Sequence, residues 1–115
     1  MAEDCIFCQI VAGKVPADVI YRDDEILAFH DISPMAPVHV LVIPRRHIGA
    51  LSDTTEADTP MLGRLVNVTN HVARDEGISG RGYRVAINSG VEGGQTVDHL
   101  HLHLLGGRQL DGQLG

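Results

Sequence analysis

Residues 99–105 read His-Leu-His-Leu-His-Leu-Leu, and this alternation constrains the fold more than any other feature of the chain. In a β-strand, successive side chains point to opposite faces of the sheet. The sequence therefore predicts a strand over residues 99–105 with imidazoles along one face and leucines packed on a core along the other. The imidazoles are those of His99, His101 and His103, and the leucines are Leu100, Leu102 and Leu104.

Three interpretations of this row of imidazoles are open. A solvated face is the weakest, because Thr, Lys or Glu would serve an exposed strand equally well. A single metal ion held by all three is disfavoured, since side chains at i and i+4 begin about 13 Å apart while metal–nitrogen bonds are about 2 Å long. Two of them could share an ion. Catalysis fits best, because imidazole is a nucleophile and a proton carrier near neutral pH.

A glycine-rich segment precedes the histidines. Gly93-Gly94-Gln95-Thr96 offers close backbone approach, N–H donors and a hydroxyl group, all suited to phosphate oxygens. A glycine pair alone marks a tight turn more often than a ligand site. Its position two to six residues before the histidines favours phosphate binding, and a histidine is well suited to attack phosphorus.

The remaining sequence predicts an α+β fold in a single domain over residues 1–115. Apolar residues at intervals of three and four predict one main helix, with Pro60 in its first turn and Gly77 at its end. A shorter helix is predicted over residues 5–15, with Gly13 as its stop signal. Short connections favour antiparallel pairing of the strands. Besides the histidine strand, strands are predicted at residues 18–22, 25–29, 38–43 and 83–88.

Charge and hydropathy limit the partners of the chain. The net charge of −6 argues against charge-driven binding to nucleic acid polymers or anionic membranes. No apolar stretch approaches the roughly 20 residues needed to span a bilayer, and the first residues lack the layout of a signal peptide. We therefore expect a cytoplasmic protein, in which two cysteines act as thiols or metal ligands rather than as a disulfide framework.

The segment 99–105 matches the signature of the histidine triad family, His-φ-His-φ-His-φ-φ with φ apolar. The context resembles the Hint branch of that family, the histidine triad nucleotide-binding proteins, in residues 29–34, 37–44, 93–96 and 105–109. The resemblance covers nearly the whole chain. It implies a five-stranded antiparallel sheet with one main helix and a short N-terminal helix, and a homodimer in which two sheets join into ten strands.

The resemblance also implies a purine nucleoside phosphoramidase. Such an enzyme hydrolyses the P–N bond of adenosine 5'-monophosphoramidate and related compounds, through a nucleotidyl-histidine intermediate and with no cofactor in catalysis. By position, His101 is the nucleophile and His103 contacts the α-phosphate, while His39 and His99 support them. Asp31 matches the residue that binds the ribose hydroxyls. The implied base pocket is Phe7, Ile10, Phe29 and Ile32, and the implied surroundings of the phosphate and leaving group are Asn88, Gly94, Gln95 and Thr96.

The Cys5-Ile6-Phe7-Cys8 motif is a separate signal. By itself, one Cys-x-x-Cys motif is weak, and two buried thiols at a helix start are the ordinary expectation. Bacterial-type relatives pair this motif with histidines at the positions of His47 and His99. The resemblance thus implies a structural zinc ion in a tetrahedral site of two thiolates and two imidazoles.

Two other functions remain open alongside the phosphoramidase. One is a dinucleoside polyphosphate hydrolase or nucleotidyltransferase, as in the Fhit or galactose-1-phosphate uridylyltransferase branches; the other is a nucleotide sensor without catalytic turnover. Three features depart from the Hint pattern. Thr96 replaces a common serine, Asp98 replaces a frequent aromatic residue, and residues 110–115 lack the tryptophan-bearing ending of animal members.

Overall fold

A computed structural model describes residues 4–114 and shows one five-stranded antiparallel sheet with two helices. The strands lie in the order β1-β2-β3-β5-β4. This confirms the predicted α+β class and the five-stranded sheet. The helices are α1 (Ile6–Val11) and α2 (Thr59–Asp75), and the strands are β1 (Val19–Arg22), β2 (Ile26–His30), β3 (Val38–Pro44), β4 (Tyr83–Ala86) and β5 (Leu102–Gly106).

The β1–β2 hairpin is closed by an aspartate. Oδ1 of Asp23 accepts hydrogen bonds from the amides of Glu25 and Ile26 at 2.7 and 2.8 Å, a local turn that aspartate favours. β3 then runs down the middle of the sheet between β2 and β5. Its β-branched residues suit this buried position.

α2 covers one face of the sheet and encloses the main hydrophobic core. Its buried stripe has the predicted helical spacing, Pro60 lies in the first turn, and Gly77 follows the helix at φ +78°. Leu100, Leu102 and Leu104 all face this core, so the leucine side of the alternation lies as predicted. The stripe consists of Met61, Leu65, Val68, Thr69, Val72 and Ala73.

α1 lies on the opposite face, over a second core cluster. Six residues are too few for a helix that is stable by itself, so α1 depends on tertiary contacts. Its one buried residue, Phe7, packs edge-on against Phe29 with ring centres 5.5 Å apart. The helix is shorter than the predicted 5–15, because Gly13 adopts φ +77° and the amide of Lys14 turns back to the carbonyl of Gln9.

The last strand begins later than the sequence predicted. β5 starts at Leu102 rather than at residue 99, because its final pair with β3 is Val42 and Leu102. The amide of Leu100 instead donates to the carbonyl of Ile48 at 2.7 Å. β4 likewise ends at Ala86, two residues before the predicted end. Among residues 4–114, no helix combines the length and apolarity that crossing a membrane requires.

Candidate functional site

The three triad imidazoles lie on the α1 side of the sheet, opposite the leucines. The rings of His101 and His103 pack edge-on with centres 4.9 Å apart. Phe7 of α1 contacts His101 with ring centres 5.2 Å apart and His99 at 5.9 Å. The predicted shared face therefore exists, although His99 and His101 precede β5 and are held by other contacts.

His101 is fixed in one tautomer by the backbone. Its Nδ1 lies 2.7 Å from the carbonyl oxygen of His99, and a carbonyl only accepts, so Nδ1 carries the hydrogen. In the neutral ring, Nε2 then carries the lone pair. The residue is only 4% exposed, yet within residues 4–114 no buried side-chain nitrogen or oxygen lacks a partner. Because Nε2 has no protein partner there, this nitrogen is not fully buried and is within reach of solvent.

His39 and Asp31 orient His103 through a chain of hydrogen bonds. The amide of Met35 donates to Nδ1 of His39 at 3.1 Å, so the hydrogen of His39 resides on Nε2. That nitrogen lies 3.0 Å from Nδ1 of His103 and 3.4 Å from Oδ2 of Asp31. Nδ1 of His103 therefore accepts, and its Nε2–H is left as a donor.

Burial keeps the imidazoles of His39 and His103 neutral near pH 7. Burial, together with the neighbouring His101 and His39, lowers the pKa of His103 to about 4. The pKa of His39 is also lowered, again by burial, against the opposing charge of Asp31. The site thus places the neutral Nε2–H donor of His103 beside Nε2 of His101, a ring nitrogen that no protein group within residues 4–114 engages, and this pairing is chemically suited to attack on a centre that carries a developing oxyanion.

Asp31 is placed by the end of β2. Its amide donates to the carbonyl of His39 at 2.9 Å, and its Oδ1 accepts from the amide of Ser33 at 2.8 Å. The side chain is 20% exposed. One carboxylate oxygen is therefore engaged by the following turn, and the other lies beside His39.

The four apolar residues predicted for a base pocket divide into two groups. Phe7 and Phe29 are buried, and Ile10 packs against the same cluster. Ile32 is 96% exposed and lies next to Asp31 in the chain. The structure thus brings three of the four together, whereas Ile32 is separate and exposed.

The glycine-rich loop is held by its own side chains. Gln95 accepts from the amide of Gly90 and donates to the carbonyls of Gly49 and Val97, each at 2.8 Å. Nδ2 of Asn88 donates to the carbonyl of Gly93 at 2.6 Å. These two predicted site residues therefore shape the loop.

The other two predicted loop residues differ from each other in their surroundings. Gly94 adopts φ +83°, a conformation that favours glycine. Thr96 lines a cavity of about 370 Å³ together with Cys5 and His47. Thr96 is thus beside Cys5 and His47 rather than within the loop turn.

Cys5, Cys8, His47 and His99 converge in a compact cluster. One ligand atom from each lies within 4.8 Å of all the others. Nδ1 of His99 is 3.4 Å from Sγ of Cys5 and 3.5 Å from Sγ of Cys8, and Sγ of Cys8 is 3.2 Å from Nδ1 of His47. Tetrahedral bonds of the usual zinc lengths separate sulfur and nitrogen by about 3.6 Å. The geometry is compatible with zinc.

The chemistry of the donors also fits a metal. Nε2 of His99 donates to the carbonyl of Pro44 at 2.8 Å, which leaves the Nδ1 lone pair directed at the thiols. Such an outer hydrogen bond is typical of metal-bound histidine. Burial and the neighbouring Cys5 raise the pKa of Cys8 to about 11. A thiol of this kind is a poor redox nucleophile, and it ionises when a cation is supplied.

Asp31, His39 and His103 form a second cluster of ligand-type atoms. It fits a metal less well, because Nε2 of His39 is protonated while Nδ1 accepts from Met35. A metal at Nε2 would force the proton onto Nδ1 and break that bond. We therefore interpret this cluster as a hydrogen-bond network.

Comparison with known proteins identifies the family of the chain. A family model described as the HIT domain matches residues 12–110. The chain belongs to the HIT domain family. The purine nucleoside phosphoramidase of Escherichia coli K12 is 46% identical over 110 residues, which are 96% of this chain and 92% of that protein.

Solved HIT structures resemble the whole chain. A HIT family hydrolase from Legionella pneumophila superposes with a TM-score of 0.94 at 45% identity, covering 96% of this chain and 99% of that one. A zinc-bound histidine triad family protein from Mycobacterium smegmatis superposes with a TM-score of 0.80 at 35% identity, covering 97% and 81%. HIT relatives thus include a zinc-bound protein.

Sequence reasoning missed the backbone groups that orient the rings. The carbonyls of Pro44 and His99 and the amide of Met35 each fix one imidazole. Any residue type can supply such a group, so the sequence carries no signal for them. It also missed His30, whose two ring nitrogens lie 2.7 Å from Asp18 and 3.1 Å from Glu76.

Proposed function

We propose that this HIT protein is a purine nucleoside phosphoramidase with His101 as the nucleophile. The observation that carries the proposal is the tautomer of His101, whose Nδ1–H is bound to the His99 carbonyl while Nε2 reaches solvent. The E. coli relative named purine nucleoside phosphoramidase, at 46% identity, supports the substrate class. His103 on β5 packs beside the nucleophile, and His39 on β3 orients His103.

In the proposed reaction, Nε2 of His101 attacks the α-phosphorus and the P–N bond breaks. The leaving amine takes a proton from water, and the nucleotidyl group remains on His101. Nε2–H of His103 donates to a phosphate oxygen and stabilises the charge that develops there. A second water then attacks phosphorus and the bond between phosphorus and Nε2 breaks, while the proton that this water loses neutralises the hydroxide left by the first. The nucleoside monophosphate is released and the neutral imidazole is restored.

The remaining predicted residues are proposed to hold the nucleotide. The carboxylate of Asp31 is partly exposed and suits the ribose hydroxyls. Phe7, Ile10 and Phe29 form an apolar wall, which the exposed Ile32 extends when a purine is bound. Asn88, Gly94, Gln95 and Thr96 are proposed to surround the phosphate and the leaving group, with the hydroxyl of Thr96 as a donor to them.

We also propose that Cys5, Cys8, His47 and His99 hold a structural zinc ion. Four donors complete a tetrahedral site and leave no open position for substrate. Zinc there ties α1 to the end of β3 and to the residues before β5, and the catalytic step needs none of its chemistry. Metal analysis of protein purified without chelator tests this, with about one zinc per chain as the expected result.

The homodimer is proposed to form along β4. This strand pairs only with β5 within the described residues, so its outer edge is open. Val85 of β4 pairs with the core residue Leu104 and is 39% exposed, and Val66 on α2 is 47% exposed. Light scattering should give a dimer for the wild type and a monomer for Val85→Lys, with Val91→Lys in the exposed loop as the control.

Steady-state kinetics test the enzymatic proposal. We expect rapid turnover of an adenosine phosphoramidate and weak turnover of a diadenosine polyphosphate. His101→Ala should abolish turnover while adenosine monophosphate still binds, and His71→Ala on the exposed face of α2 is the matched control. Unchanged activity of His101→Ala contradicts the mechanism, whereas binding without turnover by the wild type favours a nucleotide sensor.

A further inference from the structure

A cavity of about 590 Å³ lies at the end of the sheet where β4 begins and β5 ends. It is lined by residues 76–78 just after α2, residues 81–84 at the start of β4 and residues 107–110 after β5, together with Val38. None of the side chains assigned to the nucleotide site or to the cysteine–histidine cluster lines it. The cavity is therefore distinct from both of those sites.

Three of the eight arginines of the chain line this cavity, namely Arg81, Arg84 and Arg108. The chain as a whole has a net charge of −6, so the cavity is a local excess of positive charge on an acidic protein. Two arginines elsewhere, Arg46 and Arg64, each form an ion pair with an aspartate. None of the three cavity arginines forms an ion pair within residues 4–114.

Two of the three guanidinium groups are held in place by backbone carbonyls. Arg84 donates to the carbonyl of Asp111, and Arg108 donates to the carbonyls of Gln109 and Met35 at 3.1 Å each. A guanidinium has five N–H donors, so each of these side chains keeps donors that its carbonyl partners do not use. The segment after β5 thus positions both cations without neutralising them.

The remaining charges around the cavity do not cancel the arginines. Arg81 makes no hydrogen bond or ion pair with any residue from 4 to 114. Glu76 is the one acidic residue of the lining, and its carboxylate is paired with Nε2 of His30 at 3.1 Å. The carboxylate of Asp111 accepts from the amide of Gln113 and does not line the cavity. The cavity therefore has an unmet capacity for negative charge.

We infer that this cavity binds a small multivalent oxyanion, one that carries several phosphoryl or carboxyl groups. The planar fork of a guanidinium matches the oxygens of both groups and can bind them with two parallel hydrogen bonds. Three cations around one concave surface favour an anion with several charges over an anion with one. The volume lies within the range of about 300–1,000 Å³ that is usual for small-molecule sites. The inference does not depend on the proposed hydrolase activity.

The experiment titrates the wild-type protein with trimetaphosphate and, separately, with tricarballylate, two trianions matched in charge. Calorimetry at about 0.15 M salt measures affinity and stoichiometry, and ¹H–¹⁵N spectra follow the Nε–H signals of the arginines. We expect one equivalent bound per chain, with shifts at Arg81 and Arg84, and an affinity that falls as salt is added. Tighter trimetaphosphate binding assigns the phosphoryl class, and tighter tricarballylate binding assigns the carboxyl class.

Matched variants separate a built site from general attraction to charge. Arg81→Gln and Arg84→Gln should each lower the affinity about tenfold, the loss typical of one charge-assisted hydrogen bond. Arg81→Lys keeps the charge and should retain most of the affinity. Arg22→Gln, which changes an exposed arginine of β1 outside the cavity, is the control. Because Arg81 has no partner within residues 4–114, its replacement should leave the circular dichroism spectrum unchanged.

Three results would overturn the inference. The first is a wild type that binds neither trianion. The second is an affinity that survives both glutamine substitutions in the cavity or that falls as much in Arg22→Gln. The third is binding that His103→Gln abolishes and the arginine variants keep, because the anion then lies beside the triad. Each of these results leaves the hydrolase proposal to be decided by its own kinetics.

Discussion

Nε2 of His39 and Nδ1 of His103 lie 3.0 Å apart on the neighbouring strands β3 and β5. The two residues are diagonal neighbours in the register, since His39 pairs with Leu105 and His103 pairs with Leu41. The sheet therefore supplies the distance between the rings, and the Met35 amide supplies the direction of the hydrogen bond. Without His39, nothing in the described site holds the proton of His103 on the nitrogen directed away from β3.

We therefore expect His39→Ala to lower kcat by about ten- to a hundredfold, the loss typical of one hydrogen bond near a charged transition state. Steady-state kinetics on an adenosine phosphoramidate measure the change. The exposed His71→Ala is the control for a histidine removed elsewhere. A value of kcat within twofold of the wild type would show that His103 is oriented by other groups.

Acid should destabilise the protein through the same buried imidazoles. The pKa of His103 is lowered to about 4 and that of His39 is lowered too, while their unfolded values lie near 6.5. Below about pH 6.5 the unfolded chain therefore binds more protons than the folded one, and the free energy of unfolding falls as pH falls toward about 4. The slope is at most about 1.4 kcal/mol per pH unit for each such histidine.

Denaturant unfolding measures this dependence at several pH values from about 4.5 to about 7.5, a range that spans the unperturbed imidazole pKa of about 6.5. His103→Gln should flatten the acid limb relative to the wild type, because one of the protons taken up on unfolding is removed. A variant with an unchanged acid limb would show that His103 is already protonated in the folded protein.

His30 should have the opposite pH dependence. Its two ring nitrogens face Glu76 and Asp18, and their carboxylates raise its pKa, the Glu76 hydrogen bond most. The stabilisation is complete below the unfolded pKa of about 6.5 and is lost as pH rises through the folded pKa. Because the His30 side chain is 34% exposed, solvent screening limits the effect to about 0.5–1 kcal/mol.

The measurement is the difference in unfolding free energy between the wild type and His30→Gln across the same pH series. It should be largest at acid pH and should shrink as pH rises. His71→Gln is a matched control, because His71 also pairs with a carboxylate, Asp75 at 3.1 Å, but only one of its nitrogens is engaged. A difference that grows with pH would contradict the assignment.

The alternation of histidine and leucine was enough to predict which side of the chain packs on the core and which side carries the imidazoles. Side-chain chemistry sets that choice, and Leu100, Leu102 and Leu104 followed it even where the strand had not yet begun. The start of β5 was not predictable in the same way. The start of β5 is set by the last residue of β3 that pairs with it, which is Val42 opposite Leu102.

The tautomers of the site histidines could not be predicted from the sequence, for a related reason. His101, His99 and His39 are each fixed by a backbone group whose position comes from the tertiary fold. The sequence did indicate the residues of the cysteine–histidine cluster, but only through the family resemblance. The spacing of Cys8 and His47 in the sequence does not predict that Sγ of Cys8 lies 3.2 Å from Nδ1 of His47.

The turn before the histidines depends on a glycine that has no room for a side chain. A Cβ built at Gly93 lies 2.5 Å from the carbonyl oxygen of Ser89, which is backbone and cannot rotate away. The carbonyl of Gly93 also accepts the 2.6 Å hydrogen bond from Asn88. Gly93→Ala must therefore shift the loop, and it should cost about 1–3 kcal/mol of stability, as overpacking against a fixed neighbour does.

If this loop holds the phosphate, the same shift should weaken binding of adenosine monophosphate, measured by calorimetry, while the fold and zinc content persist. Gly80→Ala is the matched control, because a Cβ there meets nothing within 4 Å. Its affinity and stability should equal those of the wild type. Gly93→Ala with reduced stability and undiminished nucleotide affinity would mean that the loop shapes the surface without touching the phosphate, and the anion would then depend on His103 alone.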